Sequence, residues 1–171
     1  MIKTVLKTIL RLAVFVLLQV WILNRLHLFG IVEPFLYIYV ILKLPISISR
    51  SHGILISFLS GFVIDVFSNT PGMHAAACTL IGFLRYPLMG VYVEKELAAH
   101  VTPSYHTFGV AAFMRYAATL TAIHHVALFL IESVSLFDPA FLFLRIFASV
   151  MLTTVCIFVL EAFHVKRRSN D

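Results

Sequence analysis

The chain of 171 residues is 61% hydrophobic and only 12% charged, whereas soluble domains carry about a quarter charged residues and roughly half apolar ones. Sixteen Phe and six Tyr against seven Gly present more apolar surface than a water-soluble core of this size can hide. The formal net charge of +5 does not make a nucleic-acid binder, because the basic residues do not interleave with exposed aromatics as single-strand binding requires.

A hydrocarbon core about 30 Å thick needs about 20 helical residues, and six stretches qualify: 4–23, 29–48, 51–68, 73–93, 107–131 and 139–163. Lys3, Lys7 and Arg11 precede the first apolar run as they would in a secretory signal. That run ends in "NRLHLF" without a small-residue cleavage site, so it is expected to be a retained span. The second opens at Glu33-Pro34, where Pro suits the first helical turn and Glu complements the helix dipole. Only "NTPG" separates the third from the fourth. Thr70-Pro71-Gly72-Met73 fits a type II turn and predicts a tight helical hairpin. Pro87 inside the fourth span is expected to pack there, with a kink as the alternative. Lys and Arg collect at the N-terminus, after the second span (Lys43, Arg50), around the fourth connection (Lys95, flanked by Arg85 and Arg115) and at the C-terminus (Lys166, Arg167, Arg168). Arg25, with Arg145 some way into the sixth span, is left on the opposite side. The positive-inside rule then predicts cytoplasmic termini. The expected fold is an all-α integral membrane protein, a six-transmembrane-helix bundle forming one domain over residues 1–171.

Asp65 stands out because an ionisable group in the hydrocarbon region costs several kcal/mol unless it faces protein, water or a partner charge. Gly53, Ser57 and Gly61 precede it at four-residue steps, a small-residue stripe that lets helices approach closely and turns the carboxylate toward the interior. Two structural roles are open. Asp65, six residues before Pro71, is depth-matched to Arg145, six after Pro139, which predicts an ion pair, with Arg85 as second choice. Otherwise Asp65 caps the hairpin by accepting from backbone amides near His74. A substrate, proton or partner role is the sharper alternative.

His124 and His125 lie mid-span, but adjacent helical residues point about 100° apart and cannot ligate one metal as an i, i+4 pair does. Hydrogen bonding across helices is the expected use of at least one of them. Cys78 and Cys156 have no CxxC or CxxH spacing, so neither a disulfide framework nor a metal site is expected. HExxH, GxSxG and Gly-rich phosphate loops are missing, and a lone Asp with scattered His lacks the placed pair that acid–base catalysis needs. The expectation is a protein without catalytic activity or cofactor.

The block "GFVIDVFSNTPGMHAAACTLIGFLR", residues 61–85, resembles the hairpin of the rod shape-determining protein MreD family: a Gly, apolar residues, an Asp, a small or polar turn with Gly, then an Ala-rich helix. Gly61, Asp65, Pro71 and Gly72 lie in that hairpin, Asp65 and Gly72 on its pattern, and "PFLYIYVILKLP" resembles the family's second span as seen in Bacteroides-like bacteria. The resemblance implies a bacterial inner-membrane subunit of the cell-elongation machinery. Such a subunit binds the bitopic protein MreC and helps couple MreB filaments to the peptidoglycan synthases RodA and penicillin-binding protein 2. It also implies a fold like the substrate-binding subunits of vitamin transporters. The rival reading is a small-molecule binding subunit with a pocket near Asp65, Arg145 and His125.

Overall fold

The computed structural model describes residues 2–22, 32–93, 101–133 and 138–168, and for 2–9 and 164–168 the backbone path alone. The cations that set the expected orientation, Lys3, Lys7, Arg25, Lys95, Lys166, Arg167 and Arg168, have side chains outside the described residues. So do the linker 94–100 and the basic tail.

The chain is all-helical. Its elements are α1 (Ile2–Trp21), α2 (Ile38–Leu42), α3 (Arg50–Ser68), α4 (Met73–Tyr92), α5 (Tyr105–Phe108), α6 (Val110–Glu132) and α7 (Pro139–Arg168). Among the described residues, four helices are long and apolar enough to cross a membrane: Arg50–Ser68, Met73–Tyr92, Val110–Glu132 and Pro139–Phe163. This is a multi-span membrane arrangement. α3 packs on α4, α4 on α6, and α6 on α7.

The second predicted span, 29–48, is not a spanning helix. Residues 33–35 carry no regular structure, 36–37 form a turn, and α2 is five residues long. Yet Tyr37, Ile38, Ile41, Leu42 and Leu44 have no solvent exposure. The segment runs lengthwise through the bundle, since Glu33 pairs with Arg145 near the start of α7 while the Ile46 amide donates to the Val101 carbonyl ahead of α6. Two physical causes compete against helix here. Pro34 supplies no amide and biases Glu33 to an extended conformation, and the run of aromatic and β-branched residues from Phe35 to Ile41 has weak helix propensity. Neighbouring helices then capture the free amides, which is the condition under which irregular backbone is tolerated at membrane depth. The six-helix expectation is corrected accordingly: one of the six stretches passes through the interior as an unwound stretch, a turn and the short helix α2 instead of a spanning helix.

The predicted fifth span also starts later, at Val110. A short α5 and Gly109, at φ 82°, break the helix first.

The α3–α4 hairpin has the geometry its turn sequence dictates. Gly72 sits at φ 83°, ψ −7°, the third position of a type II turn, and the Met73 amide donates to the Thr70 carbonyl. Asn69 ends α3 in the left-handed region. Gly53, Ser57, Gly61 and Asp65 are all buried along one stripe of α3. A Cβ on Gly61 would strike the His74 carbonyl oxygen and come within 2.7 Å of the Ala75 Cα, and one on Gly82 would lie 2.6 Å from the Ser57 Cβ. The two backbones are therefore as close as glycine permits.

Gly61→Ala must push α3 off α4 and is expected to lower stability by about 1–3 kcal/mol. Gly90→Ala meets nothing within 4 Å and is expected to be neutral or stabilising by up to about 1 kcal/mol. Apparent Tm in mild detergent, read by size-exclusion profile after heating, checks both, and equal behaviour of the two variants would refute the close-contact argument.

Candidate functional site

Three polar clusters lie along segment 33–45, which is unwound at 33–35, turns at 36–37 and is helical through α2, each completed by side chains from distant helices. At the Glu33 end, one Arg145 nitrogen donates to Glu33 Oε1 at 2.8 Å and to Glu132 Oε1 at 3.0 Å. The guanidinium lies 4.3 Å from the Phe129 ring centre. The Glu33 amide donates to Ser149 Oγ at 3.0 Å.

The middle cluster surrounds Phe35 and Tyr37. Gln19 of α1 acts as a substitute strand partner: its Nε2 donates to the Pro34 carbonyl and its Oε1 accepts from the Leu36 amide, both at 3.0 Å. The Phe35 amide donates to Thr153 Oγ1 at 3.2 Å, and Thr153 Oγ1 lies 3.2 Å from His125 Nε2. Because the Thr121 carbonyl, 2.8 Å from His125 Nδ1, can only accept, neutral His125 carries its proton on Nδ1. Thr153 then donates to Nε2 and accepts from Phe35, so every group in the chain is satisfied. The Tyr37 hydroxyl bridges His74 Nδ1 at 2.7 Å and His124 Nε2 at 2.8 Å. With a single proton to give, it donates to one ring and accepts from the other. Cys78 Sγ lies 3.8 Å from the same His124 nitrogen.

The third cluster is a buried ion pair. Lys43 Nζ reaches both Glu161 oxygens, at 2.9 and 3.0 Å, and the Tyr39 hydroxyl donates to Glu161 Oε2 at 2.6 Å. Both side chains are essentially unexposed, 1% and 0%. Nearby, Arg85 donates to the Leu44 carbonyl at 2.6 Å and Arg11 to the Lys43 carbonyl at 3.4 Å. Lys43 and Arg85 are thus interior groups, not the loop-side cations that the sequence reading counted for orientation.

Asp65 and Arg145 are not partners. The Asp65 carboxylate accepts from Thr70 Oγ1 at 2.9 Å, from the His74 amide at 3.0 Å and from the Ala75 amide at 2.9 Å, whereas Arg145 is held by Glu33 and Glu132. Equal depth did not make the two meet, because α3 packs on α4 while α7 packs on α6. Three donors on one carboxylate at the start of α4 instead satisfy helix-terminal amides and oppose the helix dipole. His124 and His125 point to different partners, as expected of adjacent helical residues. Pro87 lies within α4.

Glu161, Gln19, Tyr37, Tyr39 and Thr153 were not singled out from sequence, Lys43 entered only as a loop cation, and His74 only as the neighbour of the capping amides. The available signal was Glu161, an acid inside the apolar run "CIFVLEAF", and Lys43 inside "YVILKLP", each alone among apolar neighbours. Among the described residues, no three of His, Cys, Asp and Glu are placed to hold a metal ion. Cys78 and Cys156 are free thiols. A cleft of about 360 Å³ opens at the Val101 end of the bundle, between Tyr92, His106, Thr107 and Arg115. Asp65, Arg145 and His125 are not among its walls. Compared with known proteins, the chain matches no family model, no curated protein and no solved structure.

Breaking the buried pair with Lys43→Met strands Glu161 and is expected to cost about 3–5 kcal/mol, while Lys43→Met with Glu161→Leu recovers most of that loss. Thermal unfolding of the two variants in the same detergent checks this; a double variant as unstable as the single would refute it. For Asp65, the swap Asp65→Arg with Arg145→Asp is expected to be worse than either single change, because it breaks two unrelated contacts. Asp65→Asn, which keeps one acceptor oxygen, is expected to lose about 1–2 kcal/mol less than Asp65→Ala.

Proposed function

We propose that this chain acts by binding, as a non-catalytic membrane adaptor whose partner is a single-span protein packing on the outside of the bundle. The observation that carries this reading is that, among the described residues, the middle of the bundle holds the protein's own buried segment 33–45. The polar groups gathered there mostly serve one another. The outer faces, by contrast, are apolar, with Phe58 stacked on Phe62 along α3 and Phe143 on Phe147 along α7. Phe143 is 72% exposed and Phe147 58%. Between apolar helices, association rests on packing and small residues, since lipid supplies no hydrophobic drive.

In the setting that the MreD-like hairpin implies, the partner is an MreC-like bitopic protein of the bacterial inner membrane. Through it the adaptor connects MreB filaments with RodA and penicillin-binding protein 2. The polarity proposed with this function keeps both termini cytoplasmic, with six passages of the chain in all when the unwound segment is counted as one.

A second reading, a small-molecule binding subunit of a transporter, is favoured by one feature: unwound backbone with convergent polar side chains is also how transporter bundles build substrate sites. Purifying the tagged protein from its own membranes in mild detergent and identifying its companions by mass spectrometry separates the two. A single-span MreC-like protein with cell-wall synthases is the expected result. Recovery of a transporter membrane subunit with ATPases, and no wall protein, would overturn the adaptor reading and favour the second.

A further inference from the structure

The cleft of about 360 Å³ at the Val101 end of the bundle falls within the size range of small-molecule sites. Its walls come from three places: Val91 and Tyr92 at the end of α4, His106 and Gly109 in and after α5, and Arg115 in the second turn of α6. The space in front of Gly109 is open, since an added Cβ there would meet nothing within 4 Å.

Two of these side chains bring positive charge or donors, and neither has an acidic partner among the described residues. Arg115 directs only its Nε to the protein, donating to the Ala111 carbonyl one turn back at 3.3 Å. A guanidinium has two further nitrogens, arranged as a fork that fits a phosphate. His106 is exposed in the same wall and its ring can donate whether neutral or charged. Gly109 also precedes α6, a helix of 23 residues whose start has no side-chain cap, so the positive end of the helix dipole lies at this opening.

The surface beside the cleft is apolar. Val91 is 69% exposed, Val110 55% and Met114 36%, on the two spanning helices that flank it. Tyr92 closes α4, its hydroxyl 3.0 Å from Thr119 Oγ1, a position that aromatic residues favour where a spanning helix meets the headgroup layer. A cationic cleft next to exposed apolar helix faces suits a ligand with an anionic head and apolar chains. An acidic peptide would call for a row of cations, whereas Arg115 and His106 converge on one place. No carboxylate lines the cleft to receive the ammonium of a zwitterionic head.

We propose that this cleft binds the phosphate of an anionic phospholipid, held by Arg115 and His106, with its acyl chains lying along Val91, Val110 and Met114. The site stands apart from the choice between adaptor and transporter subunit.

The test uses the full chain in mild detergent, with phosphatidylglycerol or phosphatidylcholine added back. Native mass spectrometry reads the lipid retained, and thermal unfolding reads its effect. The wild type is expected to retain phosphatidylglycerol in preference to phosphatidylcholine and to gain about 2 °C or more in apparent Tm from it, as linkage requires for a ligand of the folded state. Arg115→Gln, a change at an exposed position, is expected to lose that preference several-fold, and His106→Ala to weaken it. Arg50→Gln removes the same charge from the exposed start of α3 and is expected to leave the preference intact. A wild type that does not distinguish the two lipids would overturn the site, as would an Arg50→Gln variant impaired as much as Arg115→Gln, since attraction would then be general to the basic surface. Inorganic phosphate reproducing the whole gain in Tm would overturn the lipid assignment in favour of a soluble anion.

Discussion

The structure depends on one constraint: every amide and carbonyl of an unwound segment inside an apolar bundle needs a partner, because each one left bare costs several kcal/mol. Along 33–36 the partners are side chains. Ser149 takes the Glu33 amide, Thr153 takes the Phe35 amide, and Gln19 takes the Leu36 amide while giving its own to the Pro34 carbonyl. Beyond residue 37 the chain supplies itself, with the Tyr39 and Val40 amides bonded to carbonyls three residues back. Gln19 of the apolar helix α1, and Ser149 and Thr153 of α7, are accounted for in this way. They mark the places where unwound backbone passes.

Charge is handled by the same rule of local completion. Lys43 and Glu161 enclose each other with Tyr39 as third member, and a pair of this kind contributes more to fixing one arrangement than to net stability, since desolvation consumes much of the attraction. It is well placed for that purpose: Lys43 ends α2 and Glu161 is on α7, so the contact registers segment 33–45 against α7. Asp65 works within a single hairpin instead. Its carboxylate closes the start of α4, and the neighbouring glycine, Gly61, lets the two helices come near enough for the carboxylate to reach.

The hairpin was legible in the sequence because everything that makes it is local: the NTPG turn, the small stripe, and the acid one turn before the helix end. Asp65's capping role was one of two structural roles open from sequence, and depth alone could not decide between them because it carries no information on which helices are neighbours. The second span was legible as buried but not as unwound. An apolar window scores alike whether its amides bond within a helix or to side chains on other helices, and Pro34 suits the start of a helix as well as the start of an extended run. The same blindness led Lys43 to be read as a loop cation. Its burial follows from Glu161, more than a hundred positions away, and no pattern within either segment reveals the partner.

The sequence separations along the unwound segment bear on how the protein is made. Its contacts with Ser149, Thr153 and Glu161 span 116, 118 and 118–122 positions, so they cannot exist until α7 has left the ribosome and entered the bilayer. Until then the amides of 33–36 have only Gln19 among these partners. A nascent chain in that condition must shelter the segment another way, as a transient helix, at the wet interface, or against the insertion machinery. Threading it through the bundle then waits for α7, whose arrival is what permits it.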